Sequence, residues 1–323
     1  MKKTIPNMFA VALPVLFSII ASCGYSQSFI GIKGHGPLIT KDYQVSGFHG
    51  IEASNGFDVI LVQGNSEGLT LTVQENLPEF ITVKVDQGIL KIYSDKNIMT
   101  TQPMKARISF KDISSLHVSG GGDISSETPA INAQNMDLGI SGGGDIVFNL
   151  NANTLGCDIS GGGDLKLNGN IKDYNIRLSG GGDVRSEINS SAAIICHVSG
   201  GGDVTVISKG KTEEAAVEIS GGGDLTMELN AEKMKCSLSG GGEATLRGQA
   251  ANVSINLNGG GDINARDLQS GIMDFQVSGG SDMHINVTQE LTGQISGGGN
   301  VYLSGNPPKV SVDTRGGSKI EKE

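Results

Sequence analysis

The sequence predicts an all-β protein: a parallel β-helix (β-solenoid) of about eleven coils of 18–22 residues, preceded by an irregular N-terminal β cap. Three observations predict it. The string Ser-Gly-Gly-Gly-Asp recurs at near-constant spacing, and apolar and polar residues alternate on both sides of each copy. The 49 glycines among 323 residues follow no Gly-X-Y period, which excludes collagen, while a 37% hydrophobic content is enough for a folded core.

Residues 1–22 read as a signal peptide. Lys2 and Lys3 open it, and an apolar stretch runs from Ile5 to Ile20, interrupted by Pro6, Asn7 and Pro14. A run so short and so broken suits export and not a membrane span. It ends in Ile20-Ala21-Ser22-Cys23, which resembles a bacterial lipobox, whose cysteine becomes the lipidated first residue of the mature chain. Cys23 is the expected lipidation site, with ordinary cleavage near Ser26-Gln27 as the alternative. Residues 23–44 then read as the lipidated cysteine and a linker. Gly24 is followed by no acidic cluster, which fits an outer-membrane lipoprotein on either the periplasmic or the surface face. Two lysines and no carboxylate leave with residues 1–22, so the net charge falls from −10 to −12. An acidic chain argues against nucleic acid and anionic membrane surfaces as partners. The membrane contact expected here is through the N-terminal lipid.

Residues 45–115 read as an N-terminal β cap with the first, irregular coils. Ser54-Asn55-Gly56-Phe57-Asp58 has the form of a degenerate corner, and Asp86-Gln87-Gly88 that of a turn between two alternating strands. Such a segment would shield the open edge of the first regular coil.

Residues 116–320 carry the repeat. Ser-Gly-Gly-Gly-Asp begins at Ser119, Ser141, Ser160, Ser179, Ser199 and Ser220, and variants begin at Ser239, Asn258, Ser278, Ser296 and Thr314. The first glycines, Gly120, Gly142, Gly161, Gly180, Gly200, Gly221, Gly240, Gly259, Gly279 and Gly297, mark structural corners. Just before each of the first ten corners stands an aliphatic residue (Val118, Ile140, Ile159, Leu178 and their successors), and an apolar residue stands three residues before it in all of these but the Gly293 copy. Just after the fifth residue the alternation resumes with Ile124, Ile146, Leu165, Val184, Val204 and Leu225. A period of two is a strand with one buried face. Each repeat is therefore strand, glycine corner, strand and a second, more variable corner, with about four inward positions. Cys157, Cys196 and Cys236 share one inward position in alternate coils. Two coils span about 9–10 Å, beyond disulfide reach, so three buried free thiols are expected.

The Phe48-His49-Gly50-Ile51 opening, Gly56-Phe57-Asp58-Val59-Ile60-Leu61-Val62-Gln63-Gly64, Asp86-Gln87-Gly88-Ile89-Leu90-Lys91-Ile92 and the repeated corner together resemble the auto-transporter adhesin head GIN domain family of Bacteroidetes envelope proteins. The likeness covers about residues 45–320. It implies a β-helical fold and an adhesin-like role; it implies no activity. This chain has more regular coils than one such domain would need, as in a tandem or extended version.

The chemistry on offer is sparse. Asp123, Asp145, Asp164, Asp183, Asp203, Asp224, Glu243, Asp262 and Asp282 should line one edge. Either a cation such as Ca²⁺ bridges successive carboxylates, or each Asp accepts hydrogen bonds from its own glycine corner, the favoured reading. Calcium β-rolls use a nine-residue repeat, which this is not. His117 and His197 share an outward position four coils apart and cannot meet in one site. No Ser, His and Asp are placed for acyl transfer, and no helix with Lys and Ser or Thr follows Gly-Gly-Gly-Asp to bind phosphate. Coils this uniform leave no room for the inserted loops of polysaccharide-cleaving β-helices, and Tyr174 and Tyr302 are the exposed aromatic candidates. The sequence therefore predicts no catalytic residue, metal or cofactor. It leaves a non-enzymatic, adhesin-like binding scaffold with an unnamed glycan or protein ligand first, a structural or self-associating envelope protein second, and a polysaccharide-active enzyme third.

Overall fold

The computed structural model describes residues 31–323. The leader expected over 1–22 and the lipidation site Cys23 lie outside the described residues. Within them the chain is all β, apart from a single 3₁₀ turn at Pro78–Phe80. It is a solenoid of stacked coils whose aliphatic ladders pair in register. Val118, Ile140, Ile159, Leu178, Val198, Ile219, Leu238, Leu257, Val277 and Ile295 are consecutive partners in parallel pairs. All ten are buried.

One coil shows the plan. Ile146–Ile159 is a strand whose pairing with the following coil is interrupted only at Asn153, where it turns the second corner. Ile146, Phe148, Leu150, Leu155, Cys157 and Ile159 all point inward. Six inward positions exceed the four expected, because the apolar face continues up to both sides of the second corner. Each such side chain contributes roughly 1.5–3 kcal/mol when fully buried, and the stack offsets the entropy that a lone coil could not. Large and small residues compensate between coils. Gly293 stands where an aliphatic residue is the rule, and the Phe275 ring of the preceding coil fills the space, 2.5 Å from where a Cβ would be.

Chain order and stacking order differ at the N-terminal end. Gly50–Ala53 and Phe57–Gln63 form the coil on which Ser115–Val118 and Ile124–Ser126 stack. On their other side lie Ile89–Tyr93 and Met104–Phe110. These two strands then take antiparallel neighbours, Thr82–Asp86 and Gly68–Gln74, which end the parallel stack. The Thr82–Asp86 hairpin turns at Gln87 and Gly88, both with positive φ (50° and 78°), the geometry a two-residue turn requires. The described part of the segment read as linker contains two strands. Ile32–Lys33 pairs with Ile98–Met99, and Leu38–Tyr43 adds antiparallel to Gly68–Gln74. The free edge of Gly68–Gln74 supplies the donors and acceptors, and Ile39, Thr40 and Tyr43 are good strand formers.

Candidate binding surface

The glycine corner comes first, because it is the feature that every coil repeats. Its glycines are not there mainly to reach the left-handed region: Gly142, Gly161, Gly180, Gly200, Gly221 and Gly240 lie outside it. They are there because corners stack on corners. A Cβ on Gly161 would fall 2.0 Å from the Gly142 carbonyl oxygen, and one on Gly163 would fall 2.1 Å from that of Gly144. The middle glycine, Gly162, faces open space. The first and third glycines are thus steric requirements and the second is not. Ser281 replaces a third glycine; here the first glycines take positive φ, as they also do at Gly120 (107°) and Gly297 (112°) beside an unreplaced third glycine. Gly259 below takes φ 147° and Gly279 takes 125°, and the buried Ser281 hydroxyl donates to the Gly259 carbonyl at 2.7 Å.

The aspartate ladder follows from the same stacking. From Gly120 to Gly200 the first glycine's carbonyl accepts two N–H groups from the next coil, as Gly142 does from Gly162 and Gly163, and Gly221 and Gly240 accept one each. The next N–H, that of Asp164, has no backbone acceptor there and donates to Asp145 Oδ1 at 2.9 Å. The pattern repeats from Asp123 to Asp145, from Asp164 to Asp183, from Asp183 to Asp203 and from Asp203 to Asp224. Glu243 N–H donates to Asp224 and Asp282 N–H to Asp262. The ladder skips one step at Glu243, whose longer side chain turns to the Thr245 hydroxyl. The expectation that each Asp serves its own corner is therefore corrected. At the spacing of adjacent coils the neighbouring N–H is the one left without an acceptor, and the carboxylate replaces the missing carbonyl. Among the described residues no group of three or more His, Cys, Asp or Glu is placed to hold a metal ion.

Two other sequence expectations concern side chains away from that edge. Cys157, Cys196 and Cys236 are free and buried, and burial pushes the Cys196 and Cys236 thiols up to about 12 and Cys157 higher still. Tyr174, expected on the surface, is buried. Its hydroxyl spans the interior to Ser186 Oγ, 2.7 Å away, and burial raises its pKa. The tyrosine sits inward because its position continues the Met136, Leu155 column, and Ser186 is the small partner opposite. Tyr302 does remain partly exposed, stacked on His284 with ring centroids 4.6 Å apart. His117 pairs with Asp137 and His197 with Glu218, each in the adjacent coil, so neither histidine meets the other.

The second corner holds what the sequence reading passed over. Asn132, Asn151, Asn170 and Asn189 occupy one register position in four successive coils. Each amide donates to the one before it: Asn151 to Asn132 at 3.0 Å, Asn170 to Asn151 at 2.8 Å and Asn189 to Asn170 at 2.9 Å. Gln63 starts the ladder with a two-way amide bond to the Asn132 backbone. The signal was available, since these asparagines fall 19 residues apart.

A long, regular, all-parallel two-cornered solenoid capped by antiparallel strands defines the class: a rigid β-helical scaffold whose chemistry lies on its surface. The chain belongs to the family described as "Putative auto-transporter adhesin, head GIN domain", which matches it over residues 47–213 and 195–307. Among solved structures it is similar to a "putative adhesin" of Parabacteroides merdae (19% identity, 90% of this chain and 98% of that one, TM-score 0.40). It is also similar to one of Parabacteroides distasonis (20%, 90% and 99%, 0.37) and to one of Bacteroides fragilis (17%, 91% and 100%, 0.33). Scores this low carry no argument, and the family match alone places the chain. No curated protein matches it. Among the described residues no helix is long and apolar enough to cross a membrane.

Proposed function

We propose that this protein is a non-enzymatic, lipid-anchored cell-envelope scaffold that works as an adhesin-like binder. It is exported by residues 1–22 and held at the outer membrane through acylated Cys23. The observation that carries the reading is the register itself. Outward side chains repeat coil after coil at about 4.8 Å, so one weak contact can recur along a rigid surface. Family membership supports the adhesin-like role, and the lipobox supports the anchor. The surrounding chemistry supports binding over catalysis. The second and third glycines of most corners donate their N–H groups within the fold, and His117 and His197 lie apart, each beside a single carboxylate.

Two measurements test this. Cys23→Ser should move the protein from the membrane fraction to the soluble one and remove the acyl mass increment; unchanged fractionation refutes the anchor. Labelled protein should bind surfaces coated with mucin or extracellular-matrix protein, saturably and without altering them. Failure on every coated surface would refute the binding role.

A further inference from the structure

The second corner is concave where the asparagine ladder runs. A trough of about 580 Å³ follows it across five coils, from Asn132 to Lys211. Four of these coils contribute three consecutive residues each. Alternation sends the outer two outward and the middle one inward. Asn132, Asn151, Asn170 and Asn189 form one wall, and Gln134 with Asn153 begins the other, their amides bonded to each other at 2.8 Å. Ala133 and Ala152 lie between the walls, half-buried, with their side chains packed against the core. A second hollow of about 440 Å³ shares Asn132, Ala133 and Gln134 and extends the trough toward His49 and Ser114.

We infer that this trough binds a linear, hydroxyl-rich oligosaccharide lying along the solenoid axis. The inference rests on the binding-scaffold reading and names its site and ligand class. Three features select the ligand. Each ladder amide has two N–H groups and a carbonyl with two lone pairs; a ladder bond uses one donor of one amide and one lone pair of the next, and Asn151 Oδ1 also accepts the Asn170 backbone N–H. A spare amide N–H thus recurs along the ladder, with spare acceptor capacity at Asn132, Asn170 and Asn189, matching hydroxyls that both donate and accept. The repeat of about 4.8 Å is close to the advance of one pyranose ring in an extended chain. The charge also fits. The whole chain has 34 carboxylate side chains against 24 Lys and Arg, yet none of the fourteen residues lining the larger hollow is acidic, and two are lysines, Lys172 and Lys211. An extended peptide would look for main-chain partners, and the strands beneath the trough have already paired theirs with the coils on either side. The half-buried alanines leave no apolar area large enough to attract lipid.

The test is calorimetric titration of the purified full chain with linear tetra- to hexasaccharides of the cello, xylo, chito, malto and galacturonate series. At least one series should bind. Asn151→Ala, which takes an outward amide out of the wall, should weaken that series about tenfold or more. The exposed pair Gln134→Ala with Asn153→Ala should weaken it several-fold and guards against misfolding of the first variant, with circular dichroism checking both. Asp183→Asn on the glycine edge should bind as the parent does. If no series binds, or binding ignores both groove variants, the inference is overturned. In that event continued binding to the mucin or matrix surfaces leaves the scaffold reading standing, whereas loss of all binding ends both.

Discussion

Neighbouring glycines of one corner should respond to the same substitution with opposite signs. In Gly161→Ala the new methyl carbon would lie 2.0 Å from the Gly142 carbonyl oxygen, where an ordinary C···O contact is about 3.3 Å or more. Both atoms belong to backbone, so no side chain can swing aside and the corner must lift by about 1 Å. That displacement breaks or stretches the bonds from Gly162 and Gly163 to Gly142, at 2.9 and 3.0 Å, and the bond from Asp164 to Asp145, at 2.9 Å. At about 0.5–1.5 kcal/mol each, and more for the carboxylate, roughly 2–5 kcal/mol is lost. The reduced freedom of alanine in the unfolded chain returns about 0.4–1 kcal/mol. The net expectation is a loss of about 2–4 kcal/mol. Gly162→Ala meets nothing within 4 Å and has no positive φ, so only the unfolded-state term acts and stability should rise by about 0.4–1 kcal/mol. Urea unfolding followed by circular dichroism reads the sign. Amide hydrogen exchange over residues 160–165 reads the local effect, which matters because long repeat arrays need not unfold as one unit. Equal destabilisation by the two variants would show that conformation, and not stacking, dictates the glycines.

Other perturbations probe other layers. Tyr174→Phe and Ser186→Ala should each cost about 1–3 kcal/mol by stranding a buried hydroxyl, while the double variant should cost less than their sum; strict additivity in urea unfolding would mean that the bond contributes nothing. Asp164→Asn should keep the corner, because the amide oxygen still accepts the Asp183 N–H at that edge, whereas Asp164→Ala should expose that amide to fast hydrogen exchange; equal protection in both would sink the ladder. His117 is held above the usual histidine value of 6.5 by its hydrogen bond to Asp137, whose own carboxyl is held below 3.8 by the same bond. The pair's contribution is therefore complete below pH 6.5 on the histidine side and fades as pH rises through the folded His117 value. On the aspartate side it is present above 3.8 and fades as pH falls through the folded Asp137 value. Both groups are about half exposed, so the contribution should stay within about 1 kcal/mol. An NMR titration of His117 that does not move in Asp137→Asn would refute the coupling.

Much of the scaffold was legible in the sequence because its two strongest signals are local and periodic. Five residues of corner and alternating aliphatics fix where each strand starts and which face it buries. The degenerate corner at Ser54–Asp58 could be read the same way, and Ser119–Asp123 stacks directly on it. What escaped notice depends on contact across coils. Nothing near Asp145 in the chain says that its carboxylate serves Asp164. Tyr174 looked like surface because aromatics are rare here, yet its column is inward and its partner Ser186 lies twelve residues on, across the interior. Antiparallel Leu38–Tyr43 was invisible as a strand because its value lies in the edge it covers, far along the chain at Gly68–Gln74.

The two corners of each coil answer different demands, and that division tells where function has room to reside. At the glycine edge the first glycine's carbonyl accepts from the next coil, the second glycine's N–H is taken in most corners, and one oxygen of nearly every aspartate is committed. Substitution there is paid in fold stability, so the edge stays uniform along the rod. At the second corner the backbone bends with fewer glycines: of the residues lining the trough only Gly210 lies where a Cβ would meet a carbonyl, 2.4 Å from that of Ser190. Ala133, Ala152, Ile171 and Ser190 succeed one another at its centre, and coil length varies between 18 and 22 residues because insertions fall there, as the register shift between Ile207 and Lys211 shows. A position free to vary in size and polarity, yet held in register by the rigid edge opposite, can acquire a ligand without unfolding the stack. The asparagine trough stands on that side.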